Sequence, residues 1–199
     1  MMNSLESLNQ QGFLLLNAVP GTSAGWIAFA TFCAQYTLPV IPLILLGHWF
    51  LGGKTGHRLA LSTLVTILVA MGLGFICSML WPHPRPFVIS LGHTWIYHAA
   101  DNSFPSDHGT LFFSAGLSLL LSGAKRSGIF ILILAGFVAW SRVFLGVHFP
   151  LDMVGAALMA VLACVVVRPL WERWGDALTA LCESLSIRLF SWLPDRLTP

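Results

Sequence analysis

The stretch "HFPLDMVGAALMAVLACVVV", residues 148–167, decides how this chain is built. After Asp152 it carries no charge, and the apolar run extends to about residue 170. At 1.5 Å per residue, a helix over 149–170 can cross a bilayer core of about 30 Å. Pro150 suits its first turn, where the missing N–H is not needed. Working outward, four more apolar stretches stand out, at 25–51, 58–80, 108–123 and 127–145. Mean hydropathy is +0.80 and only 9% of the residues are charged. In lipid every backbone polar group must find its partner inside the chain, which favours helices. The sequence therefore predicts an all-α fold, a polytopic membrane helix bundle of about five transmembrane helices, in a single domain over 1–199.

The two ends read differently. "LNQQGFLLLNAVPG", residues 8–21, resembles an interfacial helix ended by Pro20 and Gly21. Residues 1–20 hold no Lys or Arg, so the positive region of a signal peptide is missing. From Glu172 to Pro199 the chain mixes Trp, Leu, Arg and acids, as one or two amphipathic surface helices would. Cys33, Cys77, Cys164 and Cys182 have no metal-like spacing and are expected to pack as small hydrophobes. Membrane lipids are expected partners and nucleic acid is not; the oligomeric state stays open.

Charge sets the expected sidedness. With five spans, Lys54, Arg58, Lys125, Arg126, Arg168, Arg173, Arg188 and Arg196 share one side, which leaves two of the ten basic residues for the other. Basic loops stay cytoplasmic. The C-terminus is then cytoplasmic, and the loops after the second and fourth spans face outward. Arg85 and Arg142 lie outside against this rule, together with His83, His93, His98, His108 and His148. Five of seven histidines on one face suggest chemistry there.

Three outward segments carry it: "WPHPRPF" at 81–87, "SFPSDHG" at 103–109 and "SRVFLGVHFPLD" at 141–152. His148 and Asp152 are four apart, so on a helix they share a face. The carboxylate can take the Nδ1 proton and leave Nε2 bare as nucleophile or base. Ser106 is a good N-cap after Pro105, and the helix N-terminus it opens suits a phosphate. His108 sits in that first turn, placed to deliver a proton. Arg85 and Arg142 bring planar donors for phosphate oxygens. Two arginines, two histidines, an orienting aspartate and a helix N-terminus together describe phosphoryl transfer.

These segments resemble the three signatures of the type 2 phosphatidic acid phosphatase (PAP2) superfamily, which includes vanadium haloperoxidases. Arg85-Pro86, Pro105-Ser106-Asp107-His108 and Ser141-Arg142…His148…Asp152 stand in the family's order. Ser78 occupies the place of the family lysine, and Asp107 that of a glycine. The Ser-Asp-His variant is similar to bacitracin-resistance-type undecaprenyl pyrophosphate phosphatases of bacteria. The resemblance implies that His148 is the nucleophile, Asp152 its orienter and His108 the general acid. It implies that Arg85, Ser106, Asp107 and Arg142 surround the phosphate, although a carboxylate at 107 repels it unless turned away. His83 and His98 are candidates to replace the lysine. The resemblance implies a phosphatase mechanism that needs no metal or cofactor, and the histidines here lack a local pair of HxxxH type that would hold zinc.

The expected reaction is hydrolysis of undecaprenyl pyrophosphate to the monophosphate on the outer face of the bacterial inner membrane, through a phosphohistidine, recycling the cell-wall lipid carrier. Its partner is the polyprenyl diphosphate lipid. Phosphatidylglycerol phosphate hydrolysis, phosphate transfer to lipid A and lipid-phosphate transport remain alternatives, because groove shape decides among them.

Overall fold

The structure, a computed structural model, describes residues 4–189. All regular elements among them are helical: α1 (Ser4–Leu16), α2 (Ala24–Gln35), α3 (Val40–Leu51), α4 (Gly53–Leu80), α5 (Asp107–Leu121), α6 (Lys125–Phe144) and α7 (Pro150–Leu189). The expected all-α membrane bundle is borne out. Helix α5 packs on α4, α6 and α7, while α2 lies on α6 and α3 on α4. Ile41, Ile67, Phe112, Leu119, Ile131 and Val138 fill the space between them. Large side chains such as Leu68, Phe75, Ile133 and Val165 point outward, as helices solvated by lipid require.

The spans differ from expectation in detail. Helices α4 and α6 and the 150–186 part of α7 are long and apolar enough to cross a membrane. The stretch expected as one span over 25–51 is the pair α2 and α3, bent by 46° at a short break. Pro39 at that break cannot donate a helical hydrogen bond, which accounts for the interruption. Helix α5 has 15 residues, about 22 Å of helix, and is shorter than α4, α6 and α7 on which it packs.

The tail of α7 also departs from the expected separate surface helices, because residues 172–189 continue α7 without a break, with Pro169 inside it. Side chains tie this extension to the start of α4. Asp176 accepts from Arg58, and Glu183 lies 2.6 Å from Nδ1 of His57, whose ring packs on Trp49. The rest of the expected C-terminal amphipathic segment, 190–199, lies outside the described residues.

Helix α1 is more than an interfacial anchor. Phe13 is fully buried edge-on to Phe149. Asn9 Oδ1 accepts from the Leu151 N–H at 3.0 Å. The Asn17 amide donates to the carbonyls of His93 and Phe144, and its oxygen accepts from the His93 N–H. This helix thus braces the turn between α6 and α7.

That turn depends on Gly146, which has φ +83° and packs directly on the His93 backbone. A Cβ there is strained and collides with the His93 carbonyl oxygen. Gly146→Ala is expected to destabilise the protein by about 2–4 kcal/mol, read as a lower thermal unfolding temperature in detergent, with activity lost in parallel.

Candidate active site

The segments 81–87, 103–109 and 141–152 meet where α5, α6 and α7 converge. Arg142 leaves the last turn of α6, and its carbonyl accepts the Val147 N–H at 3.1 Å, closing the reversal. His148 follows, two residues before α7 begins. The sequence suggested a shared helix face for His148 and Asp152. Instead, the loop folds the imidazole onto the carboxylate in the first turn, with Nδ1 3.1 Å from Oδ2. That oxygen also accepts from the Phe149 N–H at 2.8 Å and from the hydroxyl of Ser103. Asp152 is 1% exposed, so these donors replace its lost hydration.

Arg85 precedes a single 3-10 turn, Pro86–Ile89, and is itself buried. Its Nε donates to Asp101 at 2.7 Å, Nη2 to the Asn102 carbonyl and Nη1 to the Val147 carbonyl. Nη1 also stands 2.9 Å from Nε2 of His148. A guanidinium can only donate, so Nε2 is the acceptor in this pair. The imidazole proton is then on Nδ1, shared with Asp152. The resulting tautomer leaves the Nε2 lone pair directed into the site.

The second segment is stitched to both others. The Ser103 N–H donates to the His83 carbonyl at 2.8 Å, and the Ser106 N–H to the Asp152 carbonyl at 3.2 Å. Ser106 caps α5 as expected, its hydroxyl accepting from the Gly109 N–H. A Cβ on Gly109 would stand 2.9 Å from that of Ala156, so small residues let α5 and α7 approach here. Asp107 is exposed at the first position of α5, and His108 is half-buried beside it.

Arg142 stands apart. It is 2% exposed, yet its Nε and Nη2 are buried with no hydrogen-bond partner among the described residues. Burial holds the His148 imidazole neutral, well below its ordinary pKa, and the positive charges of Arg85 and Arg142 push the same way. The cluster is thus a buried, electropositive pocket with donors aimed inward.

The structure therefore brings Arg85, Ser106, His108, Arg142, His148 and Asp152 to one place, with Asp107 at its rim. Ser78, in the lysine's position, offers only its carbonyl, to Asn102. Of the two suggested substitutes, His98 stands edge-on to His148 with ring centroids 6.1 Å apart. His83 pairs instead with Glu6 at 3.3 Å and packs on Phe149. Sequence reasoning missed Asp101, Asn102 and Ser103 as partners of Arg85 and Asp152. Their signal was present: a polar run immediately ahead of Pro105 in a chain with few polar residues.

Comparison with known proteins accords with this geometry. The chain is 36% identical over 198 residues to "Putative undecaprenyl-diphosphatase YbjG" of Escherichia coli, covering 96% of this chain and all of that one. It is 27% identical to "Undecaprenyl-diphosphatase BcrC" of Bacillus subtilis, over 96% of both chains. The crystal structure of Aquifex aeolicus LpxE shares the fold, with a TM-score of 0.63 over 81% of this chain and 95% of that one, at 23% identity. The PAP2 superfamily model matches residues 59–176, a stretch that includes all three segments. That match, with the buried Arg85, Arg142, His148 and Asp152 all inside it, makes this chain a member of the PAP2 superfamily.

Proposed function

We propose that this protein hydrolyses undecaprenyl pyrophosphate to undecaprenyl phosphate and inorganic phosphate. The observation that carries the reading is Arg142, a buried guanidinium whose Nε and Nη2 have no partner among the described residues, beside a histidine whose unprotonated Nε2 accepts from Arg85. A cation in that state calls for an anionic ligand. The relatives named undecaprenyl-diphosphatase, matched over nearly the whole chain, support the choice of substrate.

In this mechanism the terminal phosphate enters between Arg85 and Arg142. Arg85 turns its Nη1 from Nε2 of His148 to a phosphate oxygen, freeing the lone pair. Nε2 attacks phosphorus in line, the bridging P–O bond breaks, and the lipid monophosphate leaves with a proton from His108. Asp152 stabilises the positive imidazole through Nδ1–H. The resulting His108 base takes a proton from water, which attacks the phosphohistidine and releases inorganic phosphate. Ser106 and the start of α5 hold the transferred group, and His98 supplies a further donor where the family lysine is absent. The basic residues at the opposite helix ends favour an outward-facing site with a cytoplasmic C-terminus.

The test is phosphate release by detergent-solubilised protein, with EDTA present, from undecaprenyl pyrophosphate and from phosphatidylglycerol phosphate. Rapid release from the polyprenyl substrate is expected. Release from the glycerolipid alone keeps the site and overturns the substrate. No release from either overturns hydrolysis in favour of transfer or transport.

A further inference from the structure

A sizeable cavity lies far from the catalytic cluster. Sixteen residues of α7 separate Asp152 from Arg168, about 24 Å of helix. There, between α4, α5 and α7, a cavity of about 360 Å³ is lined by Arg58, Ser62, Ser118, Ser122, Arg168 and Trp171, among others. Beside it opens an apolar groove of about 250 Å³, lined by Val65, Val69, Val166, Leu170 and Trp174. Val167 and Trp171 belong to both, so the two are continuous.

The chemistry changes sharply along this path. The cavity wall carries hydroxyls, with Ser62 and Ser122 3.4 Å apart, and the indole N–H of Trp171 is buried with no partner among the described residues. A buried donor without an acceptor costs free energy until something accepts from it. Arg58 is held by Asp176, and Arg168 lies 3.5 Å from Glu172. Both carboxylates are well exposed, and exposed ion pairs of this kind are weak and readily exchanged. Two guanidiniums and two carboxylates therefore stand at one mouth. A purely anionic head would meet the carboxylates uncompensated. A head with a phosphodiester and an ammonium satisfies both signs.

We infer that this end of the bundle binds one phospholipid with a zwitterionic headgroup of the phosphoethanolamine type. Its phosphate meets Arg58, Arg168 and the Trp171 N–H, its ammonium meets Asp176 and Glu172, and an acyl chain lies in the valine-lined groove between α4 and α7. The site is separate from the catalytic one and pins the α7 extension to α4.

Native mass spectrometry of the delipidated full-length protein tests this, with phosphatidylethanolamine, chain-matched phosphatidylglycerol and inorganic phosphate as probes. One phosphatidylethanolamine is expected to bind about tenfold more tightly than phosphatidylglycerol. The double variant Arg58→Ala/Arg168→Ala is expected to lose about tenfold of that affinity, and Trp171→Phe about threefold. Both keep wild-type hydrolysis at the far end, which shows that they are folded. Should the arginine variant fail to fold, Trp171→Phe and the groove-filling Val69→Trp decide. Equal binding of both lipids in several copies, unaltered in the variants, would mean ordinary annular lipid and overturn the site. Tighter binding of phosphatidylglycerol, or of free phosphate, overturns the zwitterionic head.

Discussion

His148→Ala is expected to lower turnover by at least roughly 10⁴-fold, since removing a nucleophile removes the covalent path and leaves only binding and electrostatic contributions. The fold should survive the change. Asp152 keeps the donors Ser103 and the Phe149 N–H, and Arg85 keeps its bonds to Asp101, Asn102 and Val147. Phosphate-release assays on the variant, beside its unfolding temperature, separate chemistry from stability. Turnover near that of the wild type would sink the phosphohistidine. The pH profile gives a second reading. The attacking form is the neutral imidazole, and burial with the surrounding cations keeps it neutral well below its ordinary value of 6.5. The kcat/KM of the wild type should therefore not drop as pH falls through 6.5, where an unperturbed histidine would already be half protonated. A fall centred at 6.5 or above would show that another group limits the reaction.

Arg142→Leu should cost roughly 10²–10³-fold in kcat/KM, the scale for losing one preorganised donor at a site of developing charge. Stability should move in the opposite direction. A buried guanidinium with two nitrogens unpartnered among the described residues, near a second arginine, opposes folding until an anion arrives. Replacing it with an apolar side chain of similar length should stabilise the ligand-free protein by about 1–3 kcal/mol, measured by thermal unfolding without phosphate. Arg142→Lys should recover little activity, because an ammonium cannot offer the planar fork. The acid limb of the Leu variant should also shift upward, since one of the charges that keeps His148 neutral is gone. An inactive variant that is also destabilised would make Arg142 a structural residue.

Much of this was legible in the linear chain, for physical reasons. Apolar runs must become helices in lipid, so the bundle follows from hydropathy. Ser106 before a helical run, and Pro150 at the start of another, are local signals read within one turn. What local signals do not carry is how distant segments meet. Nothing at residue 103 reveals that its hydroxyl reaches Asp152, nor at residue 85 that its guanidinium lies on His148. Those contacts depend on the close approach of α5 and α7 across Gly109 and Ala156. Pro39 marks the break between α2 and α3 in the sequence, but the 46° angle between the two halves is read only from the structure. The continuous α7 was missed because a proline and a change of composition look like a boundary. Its anchors, Arg58 and His57, lie more than a hundred residues earlier in the chain.

Helix α1 has a consequence for the order in which the molecule can assemble. It is made before α2–α7, yet its partners are the Phe144 carbonyl, Phe149 and the Leu151 N–H. At typical synthesis rates of 5–20 residues per second, roughly ten seconds or more pass before those residues leave the ribosome. Until then Phe13, Asn9 and Asn17 have no seat. The amphipathic sequence of α1 lets it wait at the water–lipid boundary without aggregating, and it docks only when the α6–α7 turn has formed. The turn that carries His148 is therefore braced late, by a helix synthesised well before it.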